Sequence, residues 1–158
     1  LEEEVDDSTQ TYFCIGVSGY HEKHSESPNS EADLRFLKKK VDSGADYIVT
    51  QMFFDNQKYF DFVQRCRAAD IHVPIIPGLK PITTLKQVYS LPGYFHVSIP
   101  DELCKQIEAC KNNKEDIKKA GIEWLANQCK ELIQFGVPCL HFYTMSKADH
   151  VKALMKLL

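Results

Sequence analysis

No stretch of the 158-residue sequence is apolar for long enough to cross a bilayer. The longest runs, among them Tyr47–Thr50 and Gln51–Phe54, fall far short of the roughly 20 residues a helical span needs. These residues open on no basic-then-apolar run, so neither a membrane nor a secretory reading is expected. There is no excess of positive charge: the formal net charge is -3, which sets up no field for nucleic acid or an anionic surface. The 6 cysteines form neither a Cys-x-x-Cys pair nor a tight Cys/His cluster, which removes a zinc ribbon and a dithiol redox motif. His21 and His24 stand three apart, not the four of a helical zinc pair. Repeats of fixed period and low-complexity tracts are lacking as well. What is present, 44% hydrophobic and 26% charged residues, describes one domain of ordinary composition. A chain of about 150 residues buries enough surface to fold without disulfides. Cys14, in Phe13-Cys14-Ile15, and Cys139, beside Leu140, sit in apolar company. The set is expected to be buried free thiols in a reducing, cytoplasmic setting.

Strand and helix patterns alternate along the chain. Phe13–Ser18 reads as a buried strand. Ser30 caps a helix with Leu34, Leu37 and Val41 on one face, and Gly44 closes it. Asp46–Met52 is the second strand, and Tyr59, Phe60, Val63 and Cys66 give the next helix its stripe. Val73–Ile76 is a third strand stopped by Pro77-Gly78, followed by a short helix from Thr84 to Tyr89 after a cap at Thr83. Pro100 opens a helix carrying Leu103, Ile107 and Cys110. A long amphipathic helix from Ile117 ends at Gly136, then a strand over Cys139–Thr144 and a helix over Ala148–Leu158 complete the pattern. Consecutive βαβ units with short connections mean a parallel sheet with helices outside it.

Two architectures satisfy four such strands. An open doubly wound sheet usually carries a Gly-rich phosphate loop after its first strand, and Gly16-Val17-Ser18-Gly19 does not fit that fingerprint. A (βα)8 TIM-barrel type, here about four βα units, places polar residues at strand C-termini on one rim, as Tyr20, Gln51 and Tyr143 are placed.

At these residues the chain resembles the methylenetetrahydrofolate reductase family. The carriers are Gly-Val-Ser-Gly-Tyr-His-Glu-Lys-His at 16–24, Glu-Ala-Asp-Leu-Arg-Phe-Leu-Lys-Lys-Lys-Val-Asp-Ser-Gly-Ala-Asp at 31–46 and Ile-Val-Thr-Gln-Met-Phe-Phe-Asp at 48–55. Pro-Ile-Ile-Pro-Gly-Leu-Lys-Pro-Ile at 74–82 and Leu-His-Phe-Tyr-Thr-Met at 140–145 follow in the same order. The resemblance implies the C-terminal half of a catalytic barrel over residues 13–158, after an acidic leader or linker at 1–12. It implies FAD as cofactor and NADH or NADPH as co-substrate. The reaction would be a ping-pong hydride transfer that reduces 5,10-methylenetetrahydrofolate to 5-methyltetrahydrofolate.

The family's cofactor-binding positions match Tyr20, His24, Ser27, Asp33 and Lys40, with Lys39 beside them. By residue chemistry alone, Lys38-Lys39-Lys40 is a solvated helix face and Asp33 a first-turn carboxylate stabilising its own helix. Gln51 matches a folate contact, and its amide both donates and accepts as a pterin edge requires. Taken alone it reads as a buried amide satisfied by backbone. Tyr143 and Lys147 match positions for folate or the nicotinamide, and Lys147 stands where relatives often carry Arg, losing the bidentate fork. Leu91 matches an apolar contact to the bound ring and reads equally as helix packing.

There are departures from the family pattern. The family loop reads Tyr-Pro-Glu-x-His-Pro-Glu-Ala, whereas this chain has Tyr20-His21-Glu22-Lys23-His24-Ser25-Glu26-Ser27. Both prolines are gone, and with them two fixed φ angles. No catalytic residue is assigned on this chain, because the family's catalytic glutamate and flavin-tuning aspartate belong to strands that precede Phe13. The expectation is impaired turnover for these residues alone. The rival expectation is a non-catalytic half-barrel that pairs with a partner or a second copy through open sheet edges, forming a homo-oligomer.

Overall fold

A computed structural model describes residues 13–158, so the expected leader at 1–12 lies outside the described residues. The element order is β1 (Gly16–Gly19), α1 (Ser30–Asp42), β2 (Tyr47–Met52), α2 (Asn56–Ala68), β3 (Ile75–Leu79), α3 (Leu85–Phe95), α4 (Asp101–Ala109), α5 (Lys114–Phe135), β4 (His141–Phe142) and α6 (Asp149–Leu154). The strands form one parallel sheet in the order β1-β2-β3-β4. Sequential order with helical crossovers is the arrangement of half a (βα)8 barrel.

Several boundaries differ from the pattern reading, each for a local reason. Asn29 rather than Ser30 caps α1: it is extended (φ -156°) and its side chain accepts from the Ala32 N–H at 2.8 Å. The terminator at Gly44 holds, with φ +106°. Thr84, not Thr83, precedes α3, where it forms a capping box with Gln87. That helix runs on through Pro92, because Val88 and Leu91 are both buried in packing. β4 is only two residues long, since it pairs with Gly78 and Leu79 alone. α6 ends at Leu154, short of the expected Leu158.

Pro77 and Gly78 do not stop β3 but lie inside it. Val49 pairs with Ile76 and Met52 with Gly78, so two residues of β2, Thr50 and Gln51, oppose the single residue Pro77. Proline brings no N–H to a ladder. The ladder accommodates it with a bulge, a device that re-aims side chains at strand ends.

The helices cover one face of the sheet. Ile48, Thr50 and Met52 of β2 are buried against them, while Tyr47, Val49 and Gln51 point to the other, half-open face. This overturns the expected burial of β1: among the described residues it lies at the edge of the sheet, and Gly16 and Ser18 are exposed. Apolar side chains gather in two clusters. One lies around Ile48, Phe53, Tyr59, Leu79, Leu125 and Leu132, the other around Met52, Phe54, Ile82, Val88 and Ile107. α5 joins them. A Cβ on Gly121 would lie 1.7 Å from the Ile82 carbonyl oxygen, so the helix passes directly against that backbone. Trp124 donates its Nε1–H to the Phe54 carbonyl at 3.0 Å, and Asn56 donates to the Gln128 carbonyl at 3.1 Å.

The thiol expectation needs correcting. Cys66 and Cys129 are buried, and burial pushes them up to about 11 and about 12, but Cys14 and Cys139 are exposed and Cys104 and Cys110 half-buried. An apolar neighbour in sequence does not bury a residue that leads into a strand at the edge of the described sheet, as Cys14 leads into β1 and Cys139 into β4.

Candidate functional site

The C-terminal ends of β1, β2 and β4 meet at the bulge. The Thr50 carbonyl accepts from the Tyr143 hydroxyl at 2.9 Å. The Gln51 carbonyl accepts from His21 Nε2–H at 3.1 Å and from the Thr50 hydroxyl at 3.0 Å, while Thr50 Oγ1 in turn accepts from the Gly78 N–H at 3.0 Å. Side chains thus satisfy carbonyls that the bulge takes out of the ladder. Gly78 is required here: a Cβ would lie 2.1 Å from the Thr50 oxygen and 2.7 Å from the Tyr143 ring. The Tyr143 ring lies across that gap.

Gln51 has its amide oxygen occupied by the Met52 N–H at 2.9 Å. Its amide nitrogen has no protein partner among the described residues, and the residue faces the half-open side of the sheet. The backbone-satisfied reading therefore holds for one end of the amide only. Tyr143 spends its hydroxyl proton on Thr50 and keeps its ring exposed in part. Burial, with the Tyr20 hydroxyl nearby, pushes the Tyr143 phenol up, so it stays neutral and a donor at physiological pH.

The loop after β1 is tied down residue by residue. Asp33 accepts from the His24 N–H at 3.1 Å and from the Ser27 hydroxyl at 2.9 Å. Lys23 donates to the His24 carbonyl at 3.0 Å and the Ser27 carbonyl at 2.6 Å, and the Tyr20 and His24 rings meet edge to face at 4.7 Å. Of the lysine run, Lys38 pairs with Asp42, Lys39 lies over the Phe36 ring at 5.6 Å, and Lys40 has no ion-pair partner among the described residues. Tyr20, Asp33 and Lys40 share a narrow cleft with Ser18, Leu37 and Arg65 that encloses about 10 Å³, room for a water.

Two expected residues stand apart. Leu91 is 5% exposed, packed with Met52, Phe54 and Val88. Lys147 follows the positive-φ pair Met145 and Ser146 and opens onto a separate hollow of about 850 Å³, which it shares with Thr84, Lys118 and His150. His21 and Glu22 carry no site role in the sequence pattern. His21 is 5% exposed between Phe53 and Phe62, and burial lowers it to about 4. Glu22 bonds Lys58 and accepts from the Ser98 N–H at 2.9 Å. Their signal was present in the sequence, as the two residues that follow Tyr20 where the family loop has Pro-Glu.

The sequence profile of methylenetetrahydrofolate reductase matches residues 3–158. The chain belongs to that family. It is 40% identical over 144 residues to methylenetetrahydrofolate reductase (NADH) 1 of Arabidopsis thaliana, covering 85% of this chain and 24% of that protein. Against the 5,10-methylenetetrahydrofolate reductase of Escherichia coli it is 37% identical over 137 residues, covering 87% and 46%. The chain thus spans from about a quarter to under half the length of these reductases. Among solved structures, an uncharacterized protein from Clostridium thermocellum that binds two copies of 5-methyl-5,6,7,8-tetrahydrofolic acid matches with a TM-score of 0.61 at 22% identity. The match covers 91% of this chain and 51% of that one, and it bears on the fold alone.

Proposed function

We propose that this chain forms part of the folate- and flavin-binding rim of a methylenetetrahydrofolate reductase. The observation that supports the reading best is Gln51, beside a bulge at the end of β2 with its amide nitrogen unspent among the described residues, in a chain of that family. The Gln51 N–H and the partly exposed Tyr143 ring, both at strand C-termini, offer a pterin a hydrogen bond and a flat apolar contact.

For FAD, the donors left over by the loop are suitable in kind. Tyr20 and His24 offer a phenol and an imidazole to ribityl or ribose oxygens, and Lys40, without an ion-pair partner among the described residues, offers a point charge to a diphosphate. Ser27 and Asp33 are engaged with each other, so their role is to shape the loop that presents Tyr20 and His24. Lys39 adds charge at the same helix end. FAD, when bound, supplies the hydride-transfer chemistry between NADH or NADPH and the folate. The protein's own part is to bind, orient and shield, and Lys147 would offer a charge to a carboxylate or phosphate that reaches its separate hollow.

Titrating the purified protein with FAD and recording the visible spectrum tests this directly, followed by an assay of NADH and NADPH oxidation. A protein-perturbed flavin spectrum that is weakened by Lys40→Ala supports the reading, and an unperturbed spectrum at high protein concentration defeats the cofactor part of it. A second reading is favoured by the unpaired edges of β1 and β4 among the described residues and by exposed Ile15 and Phe36 beside β1: a non-catalytic half-barrel that self-associates. A flavin-free dimer in mass-resolved size exclusion would favour that second reading.

A further inference from the structure

We propose that His21 is a positioning residue for Gln51, setting the direction in which the bulged end of β2 presents that amide. The inference rests on the reading of Gln51 as a folate contact and adds to it the device that holds Gln51 in place. Three observations carry it. First, the contact joins residues 30 apart in sequence: His21 Nε2–H donates to the Gln51 carbonyl, at the bulge residue itself. A carbonyl only accepts, so the bond fixes the Nε2–H tautomer and leaves Nδ1 an acceptor, and Nδ1 is buried with no partner among the described residues. An unpartnered buried nitrogen costs stability, so a ring chosen for packing alone would be phenylalanine.

Second, the imidazole has little freedom. It is walled by Phe53 at 5.0 Å and Phe62 at 6.5 Å between ring centroids, both edge to face. Its own carbonyl accepts from Arg65 at 2.9 Å. Third, the next residue extends the anchor: Glu22 bonds Lys58 on α2 and the Ser98 N–H between α3 and α4. The loop that lost both family prolines is therefore fixed by side-chain bonds to three other segments. Of those bonds, the His21 bond is the one that reaches the residue placed at the ligand.

His21→Phe removes the donor and keeps the ring, and His21→Gln keeps a donor on a side chain long enough to reach the same carbonyl. Two measurements on the chain follow. Amide hydrogen exchange at Met52, whose N–H is held by the Gln51 side chain, should accelerate several-fold in His21→Phe, with thermal stability unchanged or raised, and return toward the parent rate in His21→Gln. Met52 protection unchanged in His21→Phe would overturn the proposal, whatever the chain binds. In the second measurement, affinity for 5-methyltetrahydrofolate should fall about tenfold in His21→Phe and by less than twofold when the change is made in a Gln51→Ala background, the non-additivity of a positioning pair. Equal losses in both backgrounds would also overturn it. Absence of folate binding in the parent chain would instead count against the reading of Gln51, with the Met52 measurement still deciding the role of His21.

Discussion

At the scale of single residues, the rim is built from groups whose neighbours decide their charge state. His21 folds neutral, lowered to about 4 from 6.5 by burial, with Lys58 and Arg65 acting in the same direction against Glu22 and the Gln51 bond. Its folded value lies below its unfolded value, so the folded state binds fewer protons there. Stability present above pH 6.5 is therefore lost progressively as pH falls toward 4, by an amount on the order of 3 kcal/mol in total. Burial pushes Glu22 up, but its bonds from Lys58 and Ser98 outweigh that and hold it below 4.5, out of the upper part of this window. His150 is also lowered by burial, so the comparison between parent and variant isolates His21. Urea midpoints measured from pH 6.5 to 5 should slope less in His21→Phe than in the parent, and identical slopes would count against a buried neutral His21. Tyr143→Phe removes the hydroxyl bonded to Thr50 and should lower stability by about 1 kcal/mol, read from chemical denaturation. The sequence marked Tyr143 and Gln51 as polar residues at strand ends. It did not reveal that the Tyr143 proton and one end of the Gln51 amide are already spent, because both partners are backbone groups exposed only by the bulge.

Among the elements, α5 shows where local preference and packing disagree. Glycine in a helix interior costs about 1 kcal/mol relative to alanine, so Gly121→Ala would strengthen the isolated helix. In the protein the added Cβ would meet the Ile82 carbonyl oxygen at 1.7 Å, and α5 must move away from β3 and its following turn. Gly121→Ala should therefore destabilise by about 1–3 kcal/mol, the ordinary penalty of overpacking, and a raised melting temperature would contradict the packing described. The same contrast explains which boundaries were legible. The close of α1 at Gly44 depends on its own φ and is legible in the sequence. The extent of β3 through Pro77 and Gly78 depends on β2 bulging opposite the proline and on β4 pairing with Gly78, both set by distant residues.

For the whole molecule, the sheet has helices on one face and an open side carrying Val49 and Gln51, with both edges unpaired among the described residues. Self-association through those edges would show as an average mass that rises with protein concentration, and Ile15→Lys or Phe36→Glu should lower it if the β1 edge takes part. A mass of one chain at all concentrations would argue against edge pairing. No helix among the described residues is long and apolar enough to cross a membrane.

By itself the sequence determined the alternation of strands and helices, the parallel sheet that alternation requires, and the family, through motifs that keep their order and spacing. The alternation and the sheet follow from periodicity and from glycine and proline conformation, which act over a few residues; the family follows from the likeness of the motifs. The tertiary structure alone decided which face of each strand is covered, which cysteines are buried, that Leu91 packs inside while Lys147 opens onto another hollow, and that His21 reaches the Gln51 carbonyl. Each of these depends on contacts between residues far apart in the chain, whose energies come into play only once the sheet has brought its strands together.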